Sequence, residues 1–434
     1  MTSRKSRVGR REFILSSLAT MALAAKEGRV VVRAAPLRQA ARFRQDRFCI
    51  SFWVDPPADA QMAAHYAQIA AANFTVVMGG FGANGPRADV RQLELCRKYG
   101  LKAIVSLPGY RVAGAGPAPA APGGLKRADA FPEQAACWGY FLHDEPSTAL
   151  FARLRDMVDH LRRVRPGKLG FINLLPNYAS TAQLGASSYE QYVARYVRVV
   201  NPDVLCTDHY PLMQPGADGR GLYCRNLGVI RKHALAAGVP FWNFFCAMPF
   251  DGHEDPTEAQ IRWQIYTSLA YGAKGVLYFC YWTPLGFEKG GGLIGLDGRP
   301  TRHYYQAQRI NAGLKNLGPA LMHLTSQAVY RVPRGTNPAR ILGAAPLVVS
   351  PGDYLIGVFK HADGRKAVLL NNYSYTYTAW PTVKFRADLK KVTEVDPATG
   401  KETPVVDASP AMPGLQVSLG AGAGRLFLLS RNAE

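Results

Sequence analysis

Gly139-Tyr140-Phe141-Leu142-His143-Asp144-Glu145-Pro146 reads as a short apolar strand that runs directly into two adjacent carboxylates and is stopped by a proline, which cannot donate to a ladder hydrogen bond. Asp-Glu pairs also open helices, where they face the positive end of the helix dipole. Here Glu145 precedes Pro146, and a helical pattern starts only near Ser147. The order of strand, acids and break therefore expects both carboxylates at a strand end.

Outward from this stretch, apolar runs recur, each followed by a helical pattern. The strands are expected at 49–54 (CISFWV), 74–78 (FTVVM), 101–107 (LKAIVSL), the opening stretch from Cys137, 169–174 (LGFINL), 204–209 (VLCTDH), 240–246 (PFWNFFC) and 275–281 (GVLYFCY). Helices are expected at 58–72, 86–99, 147–164, 188–200, 224–237, 257–271 and 302–317, with a Gly/Pro/Ala loop at 108–125. Continuous apolar runs are what strands buried on both faces look like, and eight strand-then-helix units predict an α/β fold, a (β/α)₈ TIM barrel, over 47–325. An open doubly wound sheet is the competitor, but Gly79-Gly80-Phe81-Gly82-Ala83-Asn84-Gly85 lacks the GxGxxG spacing of a dinucleotide fold. From 326 to 434 the helical period disappears. Short alternating segments with turns at Asp363-Gly364-Arg365 and Thr399-Gly400 predict a small antiparallel β-sandwich domain.

The N-terminus reads as an address. Arg10-Arg11-Glu12-Phe13-Ile14-Leu15, an apolar run to about Ala25 and the small residues of Ala22-Leu23-Ala24 form a twin-arginine signal peptide over 1–25, followed by a basic linker at 26–46. The apolar run is shorter than the ~20 residues of a membrane span, so the expected location is periplasmic or secreted, with no stable membrane insertion. The seven cysteines show no CxxC and no metal-ligand spacing, and they are expected to be free thiols filling the core. The formal net charge is +21; the first 25 residues carry +4 of it, leaving +17 on the remainder. That charge points to an anionic partner such as an acidic polysaccharide, and not to nucleic acid, for which no zinc-finger or RNA-binding signature is present.

Function in such a barrel sits at the C-terminal ends of the strands. Those ends offer Asp144 and Glu145, Asn173 and Asn177, Asp208-His209-Tyr210, Asn243, Asp251, His253 and Glu254, and Tyr281-Trp282 with Glu288. Trp53, Tyr110, Tyr178, Tyr210, Tyr281 and Trp282 supply rings on which sugars stack, while Trp138 and Trp242, inside strands, read as core. The 251–255 acids read as a helix cap and Gly290-Gly291-Gly292 as a loop rim; neither implies a metal, and no cofactor is implied.

A Glu directly before Pro at strand four, Tyr210-Pro211 after strand six, the stretch IRWQIYTSLAYGAKGVLYFCYW at 261–282 and a terminal sandwich ending in GRLFLL at 424–429 together resemble the clan A glycoside hydrolases over nearly the whole chain after the signal. The resemblance implies that Glu145 is the general acid/base and that the residue before it contacts the sugar 2-hydroxyl; the clan has Asn there and this chain Asp144. It also implies a nucleophilic Glu at strand seven, where 241–248 (FWNFFCAM) has no acid. Asp208 is the favoured second carboxylate, with Asp251, Glu254 and Glu288 as alternatives. Substrate contacts are expected from Asp144, Trp53, His209, Tyr210, Asn243, Tyr281, Trp282 and Glu288. The expected activity is cleavage of a glycosidic bond in an oligo- or polysaccharide. A non-catalytic glycan-binding barrel and a transglycosylase or lyase at the same cleft stand as alternatives.

Overall fold

The computed structural model describes residues 41–78, 86–106, 134–214, 217–287, 291–386, 389, 391–407 and 410–430. The expected signal segment, most of the expected linker, the 79–85 turn, the 108–125 loop with Tyr110, and Glu288 lie outside the described residues. Eight parallel strands follow in chain order: β1 (Cys49–Phe52), β2 (Val76–Met78), β3 (Lys102–Val105), β4 (Cys137–Asp144), β5 (Leu169–Leu174), β6 (Leu205–Asp208), β7 (Phe241–Cys246) and β8 (Gly275–Phe279). Each pairs with its neighbour from β2 round to β8, and β8 pairs with β1. At the remaining seam Thr75 bridges β1 and β2: its N–H donates to the Ile50 carbonyl at 2.9 Å, and its hydroxyl accepts from the Ile50 N–H at 2.8 Å. The expected strands and helices are present, with boundaries moved by a few residues.

Side-chain parity divides the strands into two faces, with a reset in β4, where Trp138 is an extra residue between Cys137 and Gly139, the partners of Ala103 and Ile104. Cys49, Val76, Ile104, Trp138, Phe171, Cys206, Trp242, Phe244 and Leu277 fill the barrel interior, while Ile50, Val77, Ala103, Tyr140, Ile172, Leu205, Phe245 and Tyr278 pack under the helices. The interior is a column of rings: Phe43 closes the floor against Trp138 at 5.4 Å, Trp138 and Trp242 stack at 6.2 Å, and Phe171 lies on Trp242 at 5.8 Å. At the top of the column Trp53 meets Phe141 at 5.3 Å and Phe244 at 5.8 Å. The interior is thus packed up to the C-terminal ends of the strands, and open space begins only above Trp53. All seven cysteines are free, and six of them are buried.

The helix Arg302–Met322 runs past its expected end at Leu317 despite Pro319, and Gly318 lets it press on Phe48, whose Cβ lies 3.0 Å from where a Gly318 Cβ would stand. Strand β9 (Leu324–Val332) follows at once and is absent from the sequence expectation; its buried but polar Ser326 and the skipped residue Gln327 in its pairing with β11 mask the alternation. With β10 (Leu347–Val349), β11 (Tyr354–His361), β12 (Lys366–Asn372), β13 (Thr382–Phe385), β14 (Lys391–Val395), β15 (Glu402–Pro404), β16 (Leu415–Gln416) and β17 (Gly424–Ser430) it forms antiparallel sheets of six and three strands. Val332, Leu347, Ile356, Val368, Leu370, Val383 and Phe427 make a second core. The sandwich docks on the barrel helix Glu258–Tyr271, where Trp263 meets Tyr373 at 5.3 Å and Asn371 donates to the Tyr266 carbonyl at 2.6 Å. The approach is close enough that a Cβ at Gly357 would collide with the Ala270 carbonyl oxygen. Among the described residues no helix is long and apolar enough to cross a membrane.

Candidate active site

Strict alternation would send Asp144 and Glu145 to opposite faces of the sheet. Two backbone events defeat it. Between β4 and β5 the partners run Phe141 with Phe171, then His143 with Ile172 and Asp144 with Asn173, so Leu142 is an extra, bulged residue that resets the parity of the strand end. Glu145 then takes a left-handed conformation, with φ of 48°, which few non-glycine residues adopt. Asn173 on β5 holds the arrangement: its carbonyl accepts from the Glu145 N–H at 2.8 Å, and its side-chain amide donates to the Asp144 carboxylate at 3.1 Å. The Tyr192 hydroxyl donates to the Pro146 carbonyl at 2.7 Å, pinning the turn from the helix layer. Both carboxylates consequently line one cavity of about 180 Å³, together with Trp53, Asn173, Asp208, Tyr210, Phe244 and Phe279.

Asp208 ends β6 and is buried, and its carboxyl hydrogen-bonds with that of Glu145. Two carboxyl groups in such contact cannot both ionise cheaply and hold a proton between them. Glu145 as a residue is open at the cavity mouth, but its carboxyl is turned in against Asp208. Loss of solvent there, followed by the like charge of Asp144, pushes its pKa up to about 7, while the hydrogen bond with Asp208 works the other way. Burial, then Glu145 and Asp144, push Asp208 well up. Tyr178 is near enough to feel the pair: burial first, then the charges of Asp208 and Glu145, push its phenol up, so it stays protonated. The rest of the lining is aromatic: Trp53, Tyr210, Phe244 and Phe279. A neutral acid beside a stack of rings can protonate an ether-type leaving oxygen while the rings hold the apolar face of a sugar.

No protein-family model matches the sequence, and no curated protein sequence does. Solved structures do match. A family 39 glycoside hydrolase from the gut symbiont Bacteroides cellulosilyticus WH2 superposes with a TM-score of 0.52 at 14% identity, over 88% of this chain and 81% of that one. A catalytic mutant of a family 42 β-galactosidase from G. stearothermophilus superposes with a TM-score of 0.59 at 8% identity, over 91% of this chain and all of that one (100%). The chain has the fold of these glycoside hydrolases.

Within this glycoside-hydrolase fold the expected site residues separate into two groups. Glu145, Asp208, Asp144, Trp53 and Tyr210 come together around the cavity. His209, Asn243, Tyr281 and Trp282 do not line it. Asn243 faces the helix layer, donating to the Tyr223 hydroxyl at 2.8 Å and the Ser268 hydroxyl at 3.2 Å, because its parity on β7 is opposite to that of Phe244. His209 is buried between Tyr178 and Tyr223, and burial first, with His253 and Arg225 nearby, pushes its pKa down to about 3. Tyr281 stacks on Phe52 at 4.5 Å within the core under the helices. Trp282 packs edge-on to His65 at 5.0 Å in a cluster with Val54, Met248 and Cys280. Glu288 lies outside the described residues. Of the other carboxylates, Glu254 accepts from Gln260 at 2.9 Å, and Asp255 pairs with His303 at 2.7 Å. Phe244 and Phe279 were not expected at the site, although inward parity counted from Trp242 would have found Phe244. A larger cavity of about 770 Å³ opens at the opposite, N-terminal ends of the strands, around Phe43, Arg231 and Lys274. It has no carboxylate pair facing it, and that end of a barrel serves stability rather than chemistry.

Proposed function

We propose that this protein is a glycoside hydrolase in which Glu145 is the general acid, acting on an oligo- or polysaccharide after export through the twin-arginine route. The observation that carries the reading is the proton-sharing Glu145–Asp208 pair at the mouth of the barrel, faced by Trp53, Phe244 and Phe279. Glu145 protonates the departing glycosidic oxygen, and Asp208, buried behind it, orients its carboxyl. The likeness to families 39 and 42 supports the reaction class, and the charge of +17 favours an acidic glycan. Glu145→Gln is expected to lower kcat/KM on a cleaved glycan by about 10²- to 10⁴-fold, the range of general acid catalysis. Wild-type turnover in that variant refutes the assignment. A non-catalytic glycan-binding role is the second reading, favoured by the lack of a β7 carboxylate at the cavity among the described residues. It requires saturable binding with no product after long incubation of concentrated wild-type protein.

A further inference from the structure

Retaining hydrolysis through an enzyme-bound sugar needs a second carboxylate about 5 Å across from the acid, and inversion needs one about 6.5 to 9.5 Å away with water between. The described residues of the cavity supply neither. Asp208 is in hydrogen-bond contact with Glu145, which leaves no room for a sugar between them. The other lining side chains are Trp53, Tyr210, Phe244 and Phe279, none of them a carboxylate; Asp251 is exposed, Glu254 is bound to Gln260, and neither lines the cavity. What the cavity has is a carboxylate adjacent to the acid on the same strand end: Asp144, brought to the same side by the Leu142 bulge and the left-handed Glu145, and oriented by Asn173. Two backbone irregularities are spent on placing those two groups side by side.

Building on the reading of Glu145 as the acid, we propose that the substrate supplies the nucleophile: the cleft takes a 2-acetamido sugar, and Asp144 holds the acetamido group in position. The acetamido carbonyl oxygen attacks C1 as the C1–O bond to the leaving group breaks, and Glu145 gives its proton to the departing oxygen. The positive charge of the resulting oxazolinium ring is balanced by Asp144, which accepts a hydrogen bond from its N–H. Water then gives a proton to Glu145 and attacks C1, opening the ring and restoring the acetamide, so the net reaction is hydrolysis with retention. Attack from C2 requires the acetamido group trans to the leaving group, which selects β-linked N-acetylglucosaminides and N-acetylgalactosaminides. The apolar wall suits the acetyl methyl.

The test compares 4-nitrophenyl N-acetyl-β-D-glucosaminide and N-acetyl-β-D-galactosaminide with their 2-trifluoroacetamido analogues and with the plain β-glucoside and β-galactoside. Expected are cleavage of the acetamido pair with retention seen by NMR, a fall on the order of 10²-fold on fluorination, and a comparable fall in kcat for Asp144→Asn. Equal cleavage of the plain glycosides, with Glu145 still required, overturns substrate assistance and leaves the hydrolase standing. Covalent labelling of the protein by a 2-deoxy-2-fluoro glycoside, read as a mass increase, overturns it in the same way. No cleavage of any glycoside by the wild type, with Glu145→Gln indistinguishable from it, overturns both readings.

Discussion

At Glu145 two electrostatic effects compete with one hydrogen bond, and the outcome is a carboxyl that titrates near neutrality. A general acid works in its protonated form, so kcat/KM is expected to be lost as pH rises through about 7. Asp144→Asn removes the like charge and should shift that alkaline limb to lower pH, whatever it does to the maximum rate; a pH–rate profile reads the shift. The same pKa shifts bear on stability. A carboxyl raised in the folded state contributes stability that is complete below its unfolded value of about 4 and is lost as pH climbs through its folded value. Glu145→Gln takes one such group away. Its urea midpoint is therefore expected to match that of the wild type at pH 4 and to exceed it at pH 8, although the variant is inactive. An equal or lower midpoint at pH 8 contradicts the proton-sharing pair.

At the scale of single strands, the site depends on which way each residue faces. The end of β6 and the end of β7 follow period-2 alternation: Asp208 and Phe244 face in, His209 and Asn243 face out. That much is legible in the sequence, since Trp242 on the inner face fixes the parity of Phe244; closeness to the strand end suggests Asn243 for the cleft, and its parity turns it to the helix layer. The end of β4 was not legible in the same way. The sequence of residues 139–146 contains no glycine at the bulge and none at the left-handed position, so neither event leaves the usual mark of a permissive residue. Asn173, which bonds to both Asp144 and Glu145, is the residue that stabilises this geometry. Asn173→Ala retains the backbone contact and loses the side-chain one, so activity is expected to fall about tenfold, the worth of one hydrogen bond to a charged group. Its thermal unfolding should stay close to that of the wild type.

Across the whole molecule, the alternation of apolar runs with helical patterns was enough to predict the barrel, because a parallel strand buried on both faces has little freedom of composition. The contact between barrel and sandwich is hidden in the sequence, since beside Trp263, Tyr373 and Asn371 it needs two positions without a side chain. Gly357 and Gly422 sit where a Cβ would strike the Ala270 and Ala259 carbonyl oxygens of the helix Glu258–Tyr271. That helix packs under β7 on one side and against β9, β11 and β12 on the other, so the barrel core continues through it onto one face of the sandwich. Gly357→Val is expected to cost about 1 to 3 kcal/mol, the range of overpacking. The cost should appear as a lower midpoint for barrel and sandwich together, followed by circular dichroism and by near-ultraviolet absorbance; a loss confined to one of them separates the two cores.

The column of rings inside the barrel ends at Trp53, which is half-buried and forms the floor of the cavity beside the carboxyl pair. Among the described residues that line the cavity it is the single indole. The protein therefore carries its own optical probe: a sugar settling on that ring displaces water from it and changes the emission, and Trp53→Phe should abolish the change while leaving the rest of the spectrum in place. Binding can then be followed by fluorescence on Glu145→Gln, in which the bound glycan is not consumed.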